Sequence, residues 1–228
     1  MNGVRKDKKL FIVGAGEIAN IAHEYFLYDS SYEVVGFAVN KEFINQDSFK
    51  GLPVIPIENV LEIYNPDNYY AFVAFGNGML NYQRTRMYKY LKSIGYKFAS
   101  YISSRAFVWN NVKIGENCFI LEDNTLQPFV EVGNNVVVWS GNHLGHSSVI
   151  KDNCFITSHV VISGLCEIGE NTYMGVNSAI ADRLVIAKDN YIAMGAMVNK
   201  STAENSIYTG NPAQASKVSA KRFCKVKE

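Results

Sequence analysis

With 228 residues, the chain has room for one large or two modest domains. Its 22 Lys plus Arg face 21 Asp plus Glu, a balance with no global field for nucleic acid or an anionic membrane, so any anionic ligand must be met locally. No run approaches the ~20 consecutive apolar residues that cross a bilayer, and Met1 to Lys9 is polar rather than a signal peptide. Cys118, Cys154, Cys166 and Cys224 form no Cys-x-x-Cys pair, so the expectation is a cytoplasmic protein with reduced thiols and no membrane insertion.

The first half opens with "KLFIVGAGEIANIAHEYF", an apolar strand, a glycine turn and a helix. Such a unit aims backbone amides at a phosphate from the helix N-terminus. Gly14, Gly16 and Ala19 fit the Gly-x-Gly-x-x-Gly/Ala fingerprint. A dinucleotide would call for an Asp or Glu at the end of the second strand, about 20 residues on, whereas "EVVGFAVN" ends in Val39 and Asn40. A mononucleotide or nucleotide sugar is therefore preferred to NAD, the plain alternative being that the glycines only permit a tight turn. Strands follow at "LPVIP" and "YYAFVAFGN", and a helix spans "NYQRTRMYKYLKSIG". About four strands make this one half of a doubly wound, Rossmann-like α/β fold.

From Ile102 to Val198 every sixth residue is aliphatic, without a miss. A period of six fits neither a helix at 3.6 nor a strand that alternates every two residues over a longer run. It fits short strands joined by tight corners, three to a coil, with each aliphatic residue pointing into a prism-shaped core and coils stacked by parallel ladders. Two residues before each aliphatic position stands a mostly small side chain, among them Cys118, Cys154 and Cys166, so these three cysteines pack corners. Asn124 and Asn142 occupy the same corner position one coil apart and should stack as an internal amide ladder. After Val198 the period fails; "NKSTAENSIYTGNPA" reads as a closing loop, and Gln214 to Glu228 as a basic tail, short helix or disorder.

A small Gly-x-Gly α/β domain followed by this repeat, with "VKIGEN", "VEVGNN", "CEIGEN", "HSSVIKDNCFI" and "YTGNPA", resembles the bacterial nucleotide-sugar N-acetyltransferases of the hexapeptide-repeat superfamily, which build glycans such as lipopolysaccharide. The resemblance covers nearly the whole chain. It implies a Rossmann-like domain at 1–100, a left-handed parallel β-helix at 101–213 against the usual right-handed crossover, a tail at 214–228, a homotrimer, and acetyl-CoA as co-substrate with no metal. It also implies nucleotide-sugar contacts at Gly14, Ala15, Gly16, Val39, Asn40, Gly76 and Asn77, with UDP or dTDP as carrier. Relatives often carry an acidic pair after the second strand, and none stands there in this sequence. The resemblance further implies acetyl-CoA contacts at Phe155, Gly164, Val176, Met194, Gly210, Pro212 and Ala213. The family's catalytic histidine matches His146 in "HSSVI", with Ser147 where many relatives have Glu.

Acyl transfer to an amine needs a base for the departing proton and donors for the oxyanion, and histidine is the side chain that titrates near neutrality. His146 lies two residues past the inward Leu144, hence at a corner with its ring directed outward. His143, beside Leu144, also points outward and either orients His146, contacts substrate or is purely structural. His159 is outward too, in a supporting role at most. The expected chemistry is direct transfer of acetyl to the amino group of a nucleotide-linked sugar. Alternatives are O-acetylation, a zinc site of three histidines like that of a carbonic anhydrase, and a nucleotide-sugar sensor without catalysis.

Overall fold

The computed structural model describes residues 5–227, which form two compact units, 5–76 with 86–101 and 77–85 with 102–227. The first unit holds β1 (Lys8–Val13), α1 (Glu17–Tyr28), β2 (Tyr32–Val39), β3 (Ser48–Phe49), β4 (Leu52–Pro56), α2 (Val60–Ile63), β5 (Tyr69–Val73), most of α3 (Tyr82–Ser93) and β6 (Lys97–Phe98). The sheet order is β3-β4-β2-β1-β5-β6, parallel except for the β3–β4 pair. The four strands expected from sequence are β1, β2, β4 and β5; β3 and β6, two residues each, extend the sheet and are too short to leave a periodic signal.

Leu10, Phe11, Ile12 and Val13 are wholly buried in β1. A strand covered on both faces reads as a continuous apolar run, and this is why it shows no alternation. Each such side chain contributes about 1.5–3 kcal/mol of burial, so β1 is the strand this unit can least lose. The chain leaves β1 toward β2 and leaves β5 toward β6, so the strand order reverses between β1 and β5. Open α/β sheets bind ligands outside the carboxyl ends of the strands at such a reversal.

The second unit is a parallel β-helix of two-residue strands, each aligned with strands eighteen residues away: His143 pairs with Thr125 and Val161, and Leu144 with Leu126 and Ile162. From Ile120 to Val198 every aliphatic residue of the period-six series is buried. Ile102, at the open first coil, is exposed because no coil precedes it. The corners explain the rest of the repeat. Asn117, Asp123, Phe129, Asn135, Ser147, Asn153, His159, Leu165, Asn171, Asn177, Arg183 and Asp189 all have φ between 54° and 65°, and Gly141 and Gly195 fill the same position. Asn, Asp and Gly tolerate that region best, which accounts for the recurrent "EN" and "DN" three residues before the inward aliphatic.

The amide ladder forms as expected: Asn142 Nδ2 donates to Asn124 Oδ1 at 2.9 Å and to the Trp139 carbonyl, while its Oδ1 accepts from Val160 N at 2.7 Å. Replacing Asn142 by alanine strands the Val160 N–H in the prism, while Asn124 Oδ1 keeps the backbone N–H of residue 142 at 2.9 Å, and should cost about 1–3 kcal/mol. A lowered urea midpoint with an unchanged slope checks this. The Cys118, Cys154 and Cys166 thiols donate to the carbonyls of Gly133, Gly169 and Ala181 at 3.1–3.2 Å. Burial pushes the Cys154 thiol up to about 12, so it is no nucleophile at neutral pH.

The tail departs from the expectation of short helix or disorder. Gln214–Ser219 forms a strand antiparallel to Ser206–Thr209, and only Ala220–Phe223 is helical, its N-terminus capped by the Ser219 hydroxyl. Ser206–Thr209 itself lies against Tyr191–Ile192, so the closing loop adds one more layer to the ladder and its free edge recruits the tail. The division between units also differs from a cut at residue 100. Residues 77–85 belong with the β-helix, where the Tyr82 hydroxyl donates to Asp189 Oδ1 at 3.0 Å and Lys221 pairs with Asp189 Oδ2 at 3.4 Å.

Candidate active site

In the first unit Gly14 closes β1. Its φ is +117°, its N–H donates to the Ala38 carbonyl at 2.8 Å, and a Cβ there would lie 3.1 Å from the Ala74 carbonyl. The loop after β1 therefore touches the loop after β5, at the point where the strand order reverses. Gly16 is the N-cap of α1 with no side-chain cap, and a Cβ on Gly16 or Gly76 would meet nothing within 4 Å. The first amides of α1 lack intrahelical partners, so this twelve-residue helix aims its positive end into open space suited to a phosphate.

Among the other nucleotide positions, Val39 is buried and offers only backbone, whereas Asn40 is half-buried at the rim. A shallow cleft beside it is lined by Asn40, Lys41, Glu42 and Glu58, with Glu58 Oε1 accepting from Lys41 N at 3.4 Å. The rim beyond β2 is thus not free of acid. Glu42 lies three residues past Val39, and Glu58 is delivered from the segment after β4, a juxtaposition made only by the sheet. Asn77 is the first residue of the segment grouped with the β-helix.

In the second unit His146 is exposed at a corner. Its N–H donates to Gln127 Oε1 at 2.9 Å, and its carbonyl accepts from Leu165 N at 2.9 Å. Its ring rests against Gly164: a Cβ there would lie 2.3 Å from His146 Cε1. His143 is half-buried on the strand face between Thr125 and Val161. His159 sits at the other end of that face, its ring 2.7 Å from where a Gly141 Cβ would be. The three histidines thus spread over two corners and the face between them, and among the described residues no group of three His, Cys, Asp or Glu is placed to hold a metal ion.

Val176 and Met194 stack one coil apart at the corner of His159, where Gly195 N donates to the Val176 carbonyl at 2.9 Å. Met194 is the most exposed large apolar side chain of the β-helix, at 76%. Gly210, Pro212 and the half-buried Ala213 lie in the closing segment, where Met197 N donates to the Gly210 carbonyl at 3.1 Å. Phe155 is placed differently from the other acetyl-CoA positions. It is only 5% exposed and stacks on Tyr173, which stacks on Tyr191 at 4.6 Å. Its ring offers a ligand almost no surface, while Tyr173 and Tyr191 further along this aromatic column pack against Leu80, Tyr82, Ala220, Cys224 and Val226. Sequence reasoning missed Gln127, whose only signal is its place nineteen residues before His146.

Two family models match the chain, the PglD N-terminal domain over residues 9–91 and the bacterial transferase hexapeptide (six repeats) over residues 111–146. Among solved structures, the chain is similar to the acetyltransferase domain of PglB from Neisseria gonorrhoeae, at 23% identity and a TM-score of 0.78, covering 92% of this chain and 100% of that one. It is also similar to PerB from Caulobacter crescentus, solved with CoA and GDP-perosamine, at 18% identity and a TM-score of 0.80, covering 91% and 97%. WeeI from Acinetobacter baumannii matches at 20% identity and a TM-score of 0.57, covering 92% and 100%. The chain therefore shares the fold of these structures, a left-handed parallel β-helix carrying hexapeptide repeats that follows a region matched by the PglD N-terminal domain model.

Proposed function

We propose that the chain is an acetyl-CoA-dependent N-acetyltransferase acting on a UDP- or dTDP-linked amino sugar in the cytoplasm, as a homotrimer, with His146 as general base. The observation that carries this reading is an imidazole held at an exposed corner of a transferase-type β-helix, in a chain whose other unit presents an open, glycine-lined helix N-terminus. The solved relatives that bind CoA, acetyl-CoA or a nucleotide sugar add support.

In the proposed reaction the neutral amine attacks the thioester carbonyl carbon and forms the C–N bond, while the amine proton passes to the His146 imidazole. The tetrahedral intermediate collapses with cleavage of the C–S bond, and the departing thiolate takes a proton to leave as CoA thiol. No covalent enzyme intermediate is needed, in keeping with the buried thiols.

What surrounds His146 supports the trimer. Phe107, Val161 and Met197 are exposed along the column of His143, and Phe129 and Leu165 are exposed at the corner beside His146. This apolar surface surrounds the base and fits a second copy of the chain. In a cyclic trimer the His146 corner of one subunit meets the Val176 and Met194 corner of the next, enclosing a cofactor too long for one shallow face.

Release of CoA thiol from acetyl-CoA on adding a UDP- or dTDP-linked amino sugar tests the reading, with light scattering on the same sample reporting a trimer. Release with a nucleotide-linked sugar bearing no amine would shift the assignment to O-acetylation. Nucleotide binding without acetyl-CoA binding, read by calorimetry with each ligand alone, would replace the enzyme by a sensor.

A further inference from the structure

We propose that Gln127 and Gly164 are positioning residues for His146, acting from the coil before it and the coil after it. The proposal rests on the reading of His146 as base.

The backbone explains why two residues are needed. At a corner of this β-helix the residue two places past the inward aliphatic has an N–H that the parallel ladders leave unserved. At another corner that N–H is taken by a side chain one coil further along the same column. Glu116 N donates to Asn134 Oδ1 at 3.0 Å, and Asn134 N to Asp152 Oδ1 at 2.7 Å. At the corner of His146 the same column continues to Gly164, which has no side chain to offer.

Two consequences follow together. The space where a Gly164 side chain would stand is filled by the imidazole, with Cε1 at 2.3 Å and Nδ1 and Nε2 at 2.8 Å from the position of a Cβ. The His146 N–H is served instead from the preceding coil, by Gln127 Oε1 at 2.9 Å. A side chain at 164 able to take the N–H would expel the ring, and Gly164 without Gln127 would leave the amide unserved. The pair therefore fixes the main chain and the ring of His146 in one arrangement, and it does so with no carboxylate at position 147.

An exposed histidine otherwise samples several rotamers, and displacing a catalytic group by about 1 Å lowers turnover by up to roughly a hundredfold. Gly164 does not have a positive φ, so its backbone accepts alanine and the substitution acts through the ring. Gly164→Ala and Gln127→Ala should each lower kcat by roughly ten- to a hundredfold while the melting temperature and the KM for nucleotide sugar stay close to wild type. Gln127→Glu keeps an acceptor for the N–H and adds a negative charge beside the imidazole. It should restore most of kcat relative to Gln127→Ala and move the acidic limb of the kcat/KM profile to higher pH.

The imidazole carbon-bound proton signals of His146, assigned by their loss in His146→Ala, give a readout independent of turnover. They should shift in Gly164→Ala and Gln127→Ala, and the titration midpoint should rise in Gln127→Glu. Unmoved His146 signals and unchanged kcat in both alanine variants would overturn the proposal. Moved signals in a protein without acetyl transfer would sustain the clamp and sink the enzymatic reading instead. A raised KM for acetyl-CoA with unmoved signals in Gly164→Ala would mean that Gly164 contacts the cofactor rather than positioning the base.

Discussion

Substituting His146 by alanine is expected to lower kcat for acetyl transfer by roughly 10²- to 10⁴-fold, the usual worth of a positioned general base. Stability should hardly change, since the ring is exposed and the hydrogen bonds at this residue run through its backbone N–H and carbonyl. The amine must lose a proton as the C–N bond forms, and no other histidine can substitute. His143 lies on the strand face and His159 at the opposite corner, resting on Gly141. Continuous detection of CoA thiol across a pH series checks the expectation. Wild-type protein should show an acidic limb from a group that must be neutral, and the variant should lack it. Turnover equal to wild type would remove His146 from the mechanism.

The second large effect is expected at Gly16, and its value lies in the contrast with Gly14. A methyl at Gly16 meets nothing in the protein, and the backbone there is extended, φ −96° and ψ −165°, so Gly16→Ala should fold normally. It would, however, stand where a phosphate approaches the first amides of α1. The KM or Kd for the nucleotide sugar should rise tenfold or more, equivalent to about 1.4 kcal/mol, with the KM for acetyl-CoA unchanged. Gly14→Ala should fail differently, by loss of stability. Its φ of +117° disfavours a side chain, and the added Cβ would press on the Ala74 carbonyl and the Phe75 ring. Calorimetric titration beside thermal melts of both variants separates the two. Unchanged nucleotide-sugar affinity in Gly16→Ala would move the phosphate site away from this helix.

Much of the candidate site is arithmetic on the repeat. Leu144 is inward, so His143 must face out and His146 must stand at a corner, because in two-residue strands side-chain direction is set by position in the period. The same counting stacked Asn124 on Asn142 and put Cys118, Cys154 and Cys166 into corners. Phe155 shows the limit of counting. Its column was legible, but its burial was not, and the residues packed against Tyr173 and Tyr191 of the same column, Leu80, Tyr82, Ala220, Cys224 and Val226, are far away in sequence and without periodicity.

By itself the sequence determined the two-part architecture, the inward series of the β-helix, the glycine turn after the first strand and the exposure of His146. These are local properties, repeated every six residues or contained within one strand, turn and helix. Tertiary structure alone decided that Gln127 serves the His146 amide, that Gly164 lies under its ring, that Glu58 reaches the rim beyond β2, and that the tail closes the ladder as a strand. Each of these depends on which coil or strand lands beside which. That pairing is set by closure of the prism and of the sheet, and by backbone groups at corners and edges that must find partners wherever the fold supplies them.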